Sequence, residues 1–166
     1  MATITFKGHE THTIGELPAI GTTAPDFKLV NSALDEVSLA DYAGKKKILN
    51  IVPSLDTPVC AISTKKFNEF AKNRNDIVVL VISADLPFAQ SRFCGAEGVD
   101  NVVSLSIMRS RDFSKDYGVL IVDGPLAGIT ARAVVVLDEE NKVLYTQQVP
   151  EIGEEPDYNK AMDAIG

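Results

Sequence analysis

Cysteine and histidine, the residues that most often act as nucleophiles or metal ligands, are scarce in this sequence. Its 166 residues contain two cysteines, Cys60 and Cys94, and two histidines, His9 and His12. The cysteines are too far apart in sequence for a redox Cys-x-x-Cys motif, and the four residues do not have the paired spacing of a zinc site. Neither histidine is close to a cysteine in sequence, so a Cys–His acyl-transfer site has little support.

Several motifs and segment types are also missing. The sequence has no GxGxxG, Walker A or GxSxG pattern, so nothing indicates a dinucleotide, nucleotide or serine-hydrolase site. Its longest apolar runs, such as 77–82 and 133–137, are too short to cross a bilayer. The N-terminal residues do not show the basic leader and apolar core of a signal peptide. These absences predict a cytoplasmic protein with no membrane partner.

Charge and length further limit the expected partners and the number of domains. The chain has 23 acidic and 16 basic residues and a net charge of −7, so it repels phosphate backbones and nucleic acid is not an expected partner. Residues 1–166 fit one domain that buries an ordinary core and needs no disulfide or structural metal. In a reducing cytosol, two cysteines are more often free, catalytic or redox-sensing than structural.

The order of apolar runs and turn signals predicts an α/β fold. Two short alternating segments within residues 1–20 predict an N-terminal β-hairpin around residues 8–10, and residues 37–42 predict a turn or brief helix. The predicted strands are 27–30, 47–52, 77–83, 101–106, 131–137 and 143–149, and the predicted helices are 60–73, 88–94, 112–117 and 156–165. A βαβ unit followed by ββα is the thioredoxin arrangement, a central mixed β-sheet flanked by helices, with the hairpin as a decoration.

Cys60 stands where a strand passes through a turn into a helix. It ends the stretch Pro53-Ser-Leu-Asp-Thr57-Pro-Val-Cys60, in which Pro53 ends the strand and Pro58 suits the first helical turn. Unpaired N–H groups and the helix dipole favour a thiolate there, and the thiolate is the reactive form. A cysteine can also be only a small buried hydrophobic residue, and Thr57 only a helix cap. The turn context favours a reactive thiol.

Arg132 is the candidate cation for this thiolate. It lies at the start of the apolar strand Ala131-Arg-Ala-Val-Val-Val, where an unpaired buried charge is costly. One interpretation places its head group in solvent at the sheet edge; the other has its planar guanidinium holding a thiolate and a polar substrate together. Thr57, three positions before Cys60, adds a hydroxyl that can donate to the thiolate and accept from a substrate hydroxyl.

The pattern Pro53-x-x-x-Thr57-x-x-Cys60 resembles the active-site signature of the peroxiredoxins. The segment 83–94 is similar to the resolving-cysteine helix of their bacterial thiol peroxidase subfamily, an atypical 2-Cys subfamily. The N-terminal hairpin and residues 124–132 are also similar to that subfamily, so the resemblance extends over essentially the whole chain.

The resemblance implies an enzyme that reduces hydrogen peroxide and organic hydroperoxides. It implies that Cys60 is the peroxidatic cysteine, that Cys94 resolves it as an intrachain disulfide, and that Pro53, Thr57 and Arg132 surround the peroxidatic thiol. It also implies thioredoxin as the electron donor, a homodimer, and no metal, haem or flavin.

Two alternatives remain open on the same fold. A thiol–disulfide oxidoreductase would normally carry Cys-x-x-Cys, whereas this chain has Thr57-Pro-Val-Cys60 at the equivalent place. A non-catalytic binding module or redox sensor would use the disulfide only to switch a surface.

Overall fold

A computed structural model describes all residues, 1–166. The strands are β1 (Thr3–Phe6), β2 (His9–His12), β3 (Leu29–Val30), β4 (Glu36–Val37), β5 (Lys46–Ile51), β6 (Ile77–Ser83), β7 (Val103–Ser106), β8 (Ala133–Leu137) and β9 (Val143–Gln148). The helices are α1 (Pro58–Ala71), α2 (Pro87–Glu97), α3 (Asp112–Asp116) and α4 (Tyr158–Ile165), and a short 3-10 helix covers Leu39–Tyr42.

Seven strands form one mixed sheet in the order β4-β3-β7-β6-β5-β8-β9, and β1 and β2 form a separate hairpin. β5, β6 and β7 are parallel, while β8 pairs antiparallel with both β5 and β9. Parallel neighbours require crossover helices, and α1 and α2 provide them. This is the central mixed sheet flanked by helices that the sequence predicts.

The central strands are apolar on both faces because helices cover both. Along β5, Ile48 packs into a cluster with residues of α1 and α4, while its neighbour Leu49 packs into the cluster on the opposite face. On that opposite face the ring of Phe113 stacks on Tyr117 with centroids 4.5 Å apart. Cys60 belongs to the first cluster, so the candidate nucleophile lies between α1 and the sheet.

Some element boundaries differ from the sequence prediction. The hairpin turn is at Lys7 and Gly8, both with positive φ (52° and 79°), rather than around residues 8–10. We predicted that helix α2 ends at residue 94, with a stop near Gly95. The helix instead continues past Gly95 and stops at Gly98, whose left-handed φ of 65° caps it. Residues 36–37 form strand β4, which pairs with β3 and precedes the brief helix. The sequence did not predict this strand.

The longest helix, α1, has 14 residues. No helix in the structure combines the length and the apolar composition that crossing a membrane requires.

Candidate active site

Cys60 lies in the first turn of α1, after residues 53–57, which we call the cysteine loop. Thr57 occupies the N-cap position with an extended backbone, and Pro58 takes the first helical position. The backbone N–H groups of Val59 and Cys60 donate to no backbone carbonyl, as at any helix N-terminus. Cys60 is 0% exposed, so its sulfur lies near the positive end of the helix dipole in a site without bulk water.

The register of the sheet brings Arg132 to the same place. Ala133 of β8 pairs with Ile51 of β5, so Arg132 lies beside the point where the chain leaves β5 for the cysteine loop. Thr130 strengthens this junction, because its hydroxyl donates to the carbonyl of Val52 at 2.9 Å. Two segments distant in sequence are therefore joined where β5 ends and β8 begins.

The guanidinium of Arg132 contacts the Cys60 sulfur directly. Its Nη1 lies 3.1 Å from Cys60 Sγ, and its Nε donates to the carbonyl of Ile152 at 2.8 Å. Arg132 is only 2% exposed, so the interpretation with a solvated head group is wrong. A buried cation next to a buried sulfur stabilises the thiolate, because each charge compensates the other where water cannot.

Thr57 is oriented differently from the sequence expectation. Its hydroxyl donates to the carbonyl of Ser54 at 3.0 Å and makes no hydrogen bond that caps α1. The hydroxyl proton is therefore used within the cysteine loop, and the expected donation from Thr57 to the Cys60 thiolate is not found. The oxygen remains available as an acceptor.

Pro53 is buried where the chain leaves β5. Its ring fills space at the entrance of the cysteine loop and has no N–H that would need a partner there.

Asp85, which sequence reasoning missed, anchors the cysteine loop. Its carboxylate accepts from the Ser54 hydroxyl at 2.7 Å, from the backbone N–H of Leu55 at 2.7 Å, and from the Ser83 hydroxyl at 2.8 Å. A signal was present in the sequence: Asp85 closely follows β6, and the carboxyl ends of neighbouring parallel strands meet at one edge of the sheet. The loop that delivers Cys60 is thus tied to the next strand.

Cys94 lies on α2 and is half-buried, with its sulfur 3.3 Å from the hydroxyl oxygen of Ser104 on β7. Both cysteines are free thiols. Phe93, the neighbour of Cys94, packs against the same core cluster as Cys60, so both cysteine-bearing helices cover one face of the sheet. The structure brings Arg132 to Cys60 but does not join the two cysteines.

A cleft of about 510 Å³ separates the cysteine loop from α2. Ser54, Leu55 and Asp56 line one side, and Arg92 and Phe93 of α2 line the other. This opening lies next to the helix that carries Cys94.

Tyr158 of α4 also borders the site. Its ring makes an edge contact with Phe67 of α1, with centroids 5.5 Å apart, and it packs against the cluster that contains Cys60. Burial, followed by the hydrogen bond to Glu155, raises the pKa of Tyr158 well above its usual value. The phenol therefore stays neutral and contributes no negative charge that would compete with a Cys60 thiolate for Arg132.

Both histidines lie on β2, and His12 takes part in anchoring the hairpin. His12 Nδ1 is 2.6 Å from Asp123 and its Nε2 is 3.0 Å from Glu10. Arg132, rather than either histidine, is the cation in contact with Cys60.

Comparison with known proteins identifies relatives along the whole chain. The family model described as Redoxin matches residues 19–162. Two proteins named thiol peroxidase, from Mycobacterium bovis and Mycobacterium tuberculosis, are each 51% identical to this chain over 166 residues, which cover 100% of this chain and 99% of the relative.

Solved structures agree with these relatives. A peroxiredoxin-like protein from Aquifex aeolicus superposes with a TM-score of 0.93 at 43% identity, over 99% of this chain and 96% of that one. A thiol peroxidase from Chromobacterium violaceum has a TM-score of 0.90 at 26% identity, over 97% and 93% of the two chains. The thioredoxin-like fold predicted from the sequence is confirmed.

Proposed function

Because the chain belongs to the redoxin family and is a thiol-dependent peroxidase of the peroxiredoxin type, we propose that Cys60 is the residue that attacks the peroxide. The observation that carries this assignment is the 3.1 Å contact between Arg132 Nη1 and Cys60 Sγ in a buried site at a helix N-terminus. Cys94 has neither a cationic partner nor a position at a helix N-terminus, so it is the weaker nucleophile.

In the first step, the Cys60 thiolate attacks the terminal oxygen of a hydroperoxide. A sulfur–oxygen bond forms while the oxygen–oxygen bond breaks, so Cys60 becomes a sulfenic acid and the peroxide is reduced. The leaving alkoxide or hydroxide takes up a proton and departs as an alcohol or water. Negative charge moves onto the peroxide oxygens during this step, which is where preorganised donors have their largest effect.

Arg132 and the N-terminus of α1 are the sources of these donors. Arg132 uses Nε for Ile152 and Nη1 for the sulfur, which leaves Nη2 for the peroxide. The free N–H groups of Val59 and Cys60 point the same way as the helix dipole. Thr57 keeps its oxygen as an acceptor for the hydroperoxide O–H, because its own proton is donated within the cysteine loop.

Pro53 shields the thiol from excess water. It is buried as the first residue of the cysteine loop, and Cys60 has no exposed surface. A peroxide therefore reaches the sulfur only through a small shift of the loop. This arrangement favours small hydroperoxides, such as hydrogen peroxide and organic hydroperoxides with a slender end.

In the second step, Cys94 attacks the Cys60 sulfenic acid. The sulfur–sulfur bond forms and the sulfenic oxygen leaves as water, which yields an intrachain disulfide. A disulfide requires Cα atoms within about 7 Å, and the two thiols are held on separate helices. We propose that one of these helices unwinds locally in each catalytic cycle to bring the two thiols together.

The C-terminal half of α2 is the segment with the lower cost of unwinding. Residues 95–98 are all exposed, whereas the two turns of α1 after Cys60 bury Ser63, Thr64 and Phe67. Segments with few buried contacts open locally at lower free energy than the core. The resolving cysteine is therefore the partner that moves further.

The remaining parts of the cycle come from the family resemblance. Thioredoxin is the proposed reductant: its dithiol is oxidised while the Cys60–Cys94 disulfide is reduced to two thiols. A homodimer, a cytoplasmic location and the absence of nucleic-acid or membrane partners stay predictions.

Peroxide consumption with a thioredoxin system tests this proposal through two matched variants. We expect Cys60→Ser to abolish activity. Cys94→Ser should still reduce one equivalent of peroxide and then stall as a sulfenic acid, which a dimedone-type probe labels on Cys60. In the wild type, peroxide should produce a disulfide within one chain, seen as a monomer-sized band on a non-reducing gel.

Three results would contradict the proposal. Activity retained in Cys60→Ser means that the nucleophile is misassigned. A disulfide-linked dimer as the main oxidised species places the resolving thiol on another chain. Full thioredoxin-supported turnover of Cys94→Ser removes this residue from the cycle.

A further inference from the structure

We infer that Glu151 and the N-terminal β-hairpin that it binds are positioning elements for Arg132, since they hold the carbonyl that orients its guanidinium on the Cys60 sulfur. This inference rests on the proposed role of Cys60 as the attacking thiol. The hairpin would then be part of the catalytic apparatus rather than a decoration of the fold.

The first step concerns Arg132 itself. Its Nε donates to Ile152 at 2.8 Å and its Nη1 contacts Cys60 at 3.1 Å. A guanidinium is planar and rigid, so fixing Nε in one direction also fixes the direction of Nη1. The carbonyl of Ile152 therefore determines whether the cation is aimed at the sulfur.

The second step concerns what holds Ile152. The residue lies in a turn after β9, outside helix and strand, and its carbonyl has no sheet partner to fix it. Strand β1 holds this turn from both sides: the N–H of Thr5 donates to the Pro150 carbonyl at 2.8 Å, and the N–H of Ile152 donates to the Thr5 carbonyl at 2.9 Å. The hairpin thus holds the turn through the Pro150 carbonyl and the Ile152 N–H and leaves the Ile152 carbonyl for Arg132.

Burial supports the same contact. The side chain of Ile152 is buried in a small cluster with Ile4 of the hairpin and with Ile121 and Ala131. Ala131 directly precedes Arg132. Apolar packing therefore joins β1, the turn and the approach to the catalytic arginine in one unit.

Glu151 fastens this unit. Its Oε1 accepts from the Thr5 hydroxyl at 3.1 Å and from the N–H of Gly8 at 2.9 Å, and its Oε2 accepts from the N–H of Gly153 at 2.9 Å. One carboxylate thus binds the hairpin turn with one oxygen and the Ile152 turn with the other. The N–H groups of Gly153 and Gly8 also hold the pKa of the Glu151 carboxyl below its usual value, so it remains an acceptor at neutral pH.

Glu151→Gln tests the inference with little change in size. The amide has one acceptor oxygen and one NH₂ donor in place of two acceptor oxygens. The NH₂ group faces either the hairpin donors, Thr5 and Gly8, or the N–H of Gly153, so hydrogen bonds on one side are lost. We expect the rate constant for peroxide to fall about three- to tenfold, the effect of losing one hydrogen bond that positions the guanidinium. The pH midpoint for alkylation of Cys60, followed by mass spectrometry, should rise by about 0.5 to 1 pH unit.

Asp138→Asn is the matched control. The Asp138 carboxylate accepts from the N–H groups of Glu140 and Lys142 at 2.8 and 2.9 Å, in the turn between β8 and β9. The control loses the same kind of bond without contact to Ile152. Its melting temperature should fall comparably, while the alkylation midpoint and the peroxide rate stay at wild-type values.

A double-mutant cycle separates positioning from general loosening. Once Arg132→Lys has removed the guanidinium, Glu151→Gln has nothing left to orient, so the double variant should be no slower than Arg132→Lys alone. Additive losses would overturn the inference. An unchanged alkylation midpoint in Glu151→Gln would also overturn it.

Thr5→Val provides a milder variant if Glu151→Gln fails to fold. It removes the hydroxyl that donates to Glu151 at 3.1 Å and to the Pro150 carbonyl at 3.5 Å. A rise of the alkylation midpoint smaller than the one expected for Glu151→Gln is the supporting result; no rise contradicts the inference. Alkylation does not require peroxidase activity. Failure of the proposed function, seen as activity in Cys60→Ser, is therefore distinguishable from failure of the positioning role.

Discussion

Replacing Arg132 by lysine keeps the positive charge and removes the fork that holds it in place. In the wild type, one guanidinium spans the 2.8 Å contact with the Ile152 carbonyl and the 3.1 Å contact with the Cys60 sulfur. A lysine ammonium is a single point and does not reach both partners in this geometry. Either the sulfur loses its cation or the buried carbonyl loses its donor.

The magnitude follows from these two contacts. Loss of one preorganised donor to the developing charge costs a factor of about 10² to 10³ in rate, and the retained charge recovers part of it, so we expect a fall of about 10- to 100-fold. Leaving the Ile152 carbonyl unpaired costs a further 1 to 3 kcal/mol, approximately, in the free energy of unfolding.

The assay is the single-turnover oxidation of Cys60 by hydrogen peroxide in stopped flow, which avoids the reductant. Arg74→Lys is a matched control because Arg74 also uses a fork, with Nε and Nη2 each 2.8 Å from Asp76. Arg74 is half-buried and follows the C-terminal end of α1, the end opposite Cys60. The control should react at the wild-type rate. A wild-type rate for Arg132→Lys would refute the reasoning, since only a general positive field, or nothing at this position, would then be needed.

Three further predictions concern the loop, the hairpin and the assembly. Asp85→Ala removes the acceptor of three hydrogen bonds; we expect at least a tenfold lower kcat/KM for peroxide, approximately, and an unchanged value would show that the loop needs no anchor. His12 has its pKa raised from 6.5 by the hydrogen bond to Asp123, whose own pKa is lowered from 3.8 to about 2 by Thr11 and His12. This pair therefore stabilises the hairpin fully between pH 3.8 and pH 6.5, the usual pKa values of the two groups. The stabilisation is lost as pH rises through the raised pKa of His12 or falls towards 2, the lowered pKa of Asp123. Hydrogen exchange of the hairpin amides should show both losses, and the same alkaline loss in His12→Ala would count against the role of the pair. Light scattering should give the mass of a dimer, and a monomer at micromolar concentration would contradict the expected assembly.

Local signals in the sequence determined the elements and the candidate nucleophile. Strand β6 has the bounds that the sequence predicts, Ile77–Ser83, because a run of β-branched residues needs no distant partner to be recognised. Proline and a capping residue after an apolar strand likewise placed Cys60 at the start of α1. Helix α2 was predicted too short because Gly95 and Gly98 are both plausible stops, and the choice depends on which one adopts positive φ.

Only the tertiary structure decided which groups surround the sulfur. The sequence offered Arg132 as a candidate, but its contact with Cys60 joins residues 72 positions apart and depends on the register between β5 and β8. The carbonyl of Ile152 carries no side-chain signal at all, since every residue has such a group and its role depends on where the turn is held. Asp85 and the hairpin act in the same way, through backbone partners that become neighbours only when the sheet has formed. The sequence therefore shows which side chains can react, because reactivity depends on residue type. How those side chains are oriented toward each other depends on the packing of the folded chain.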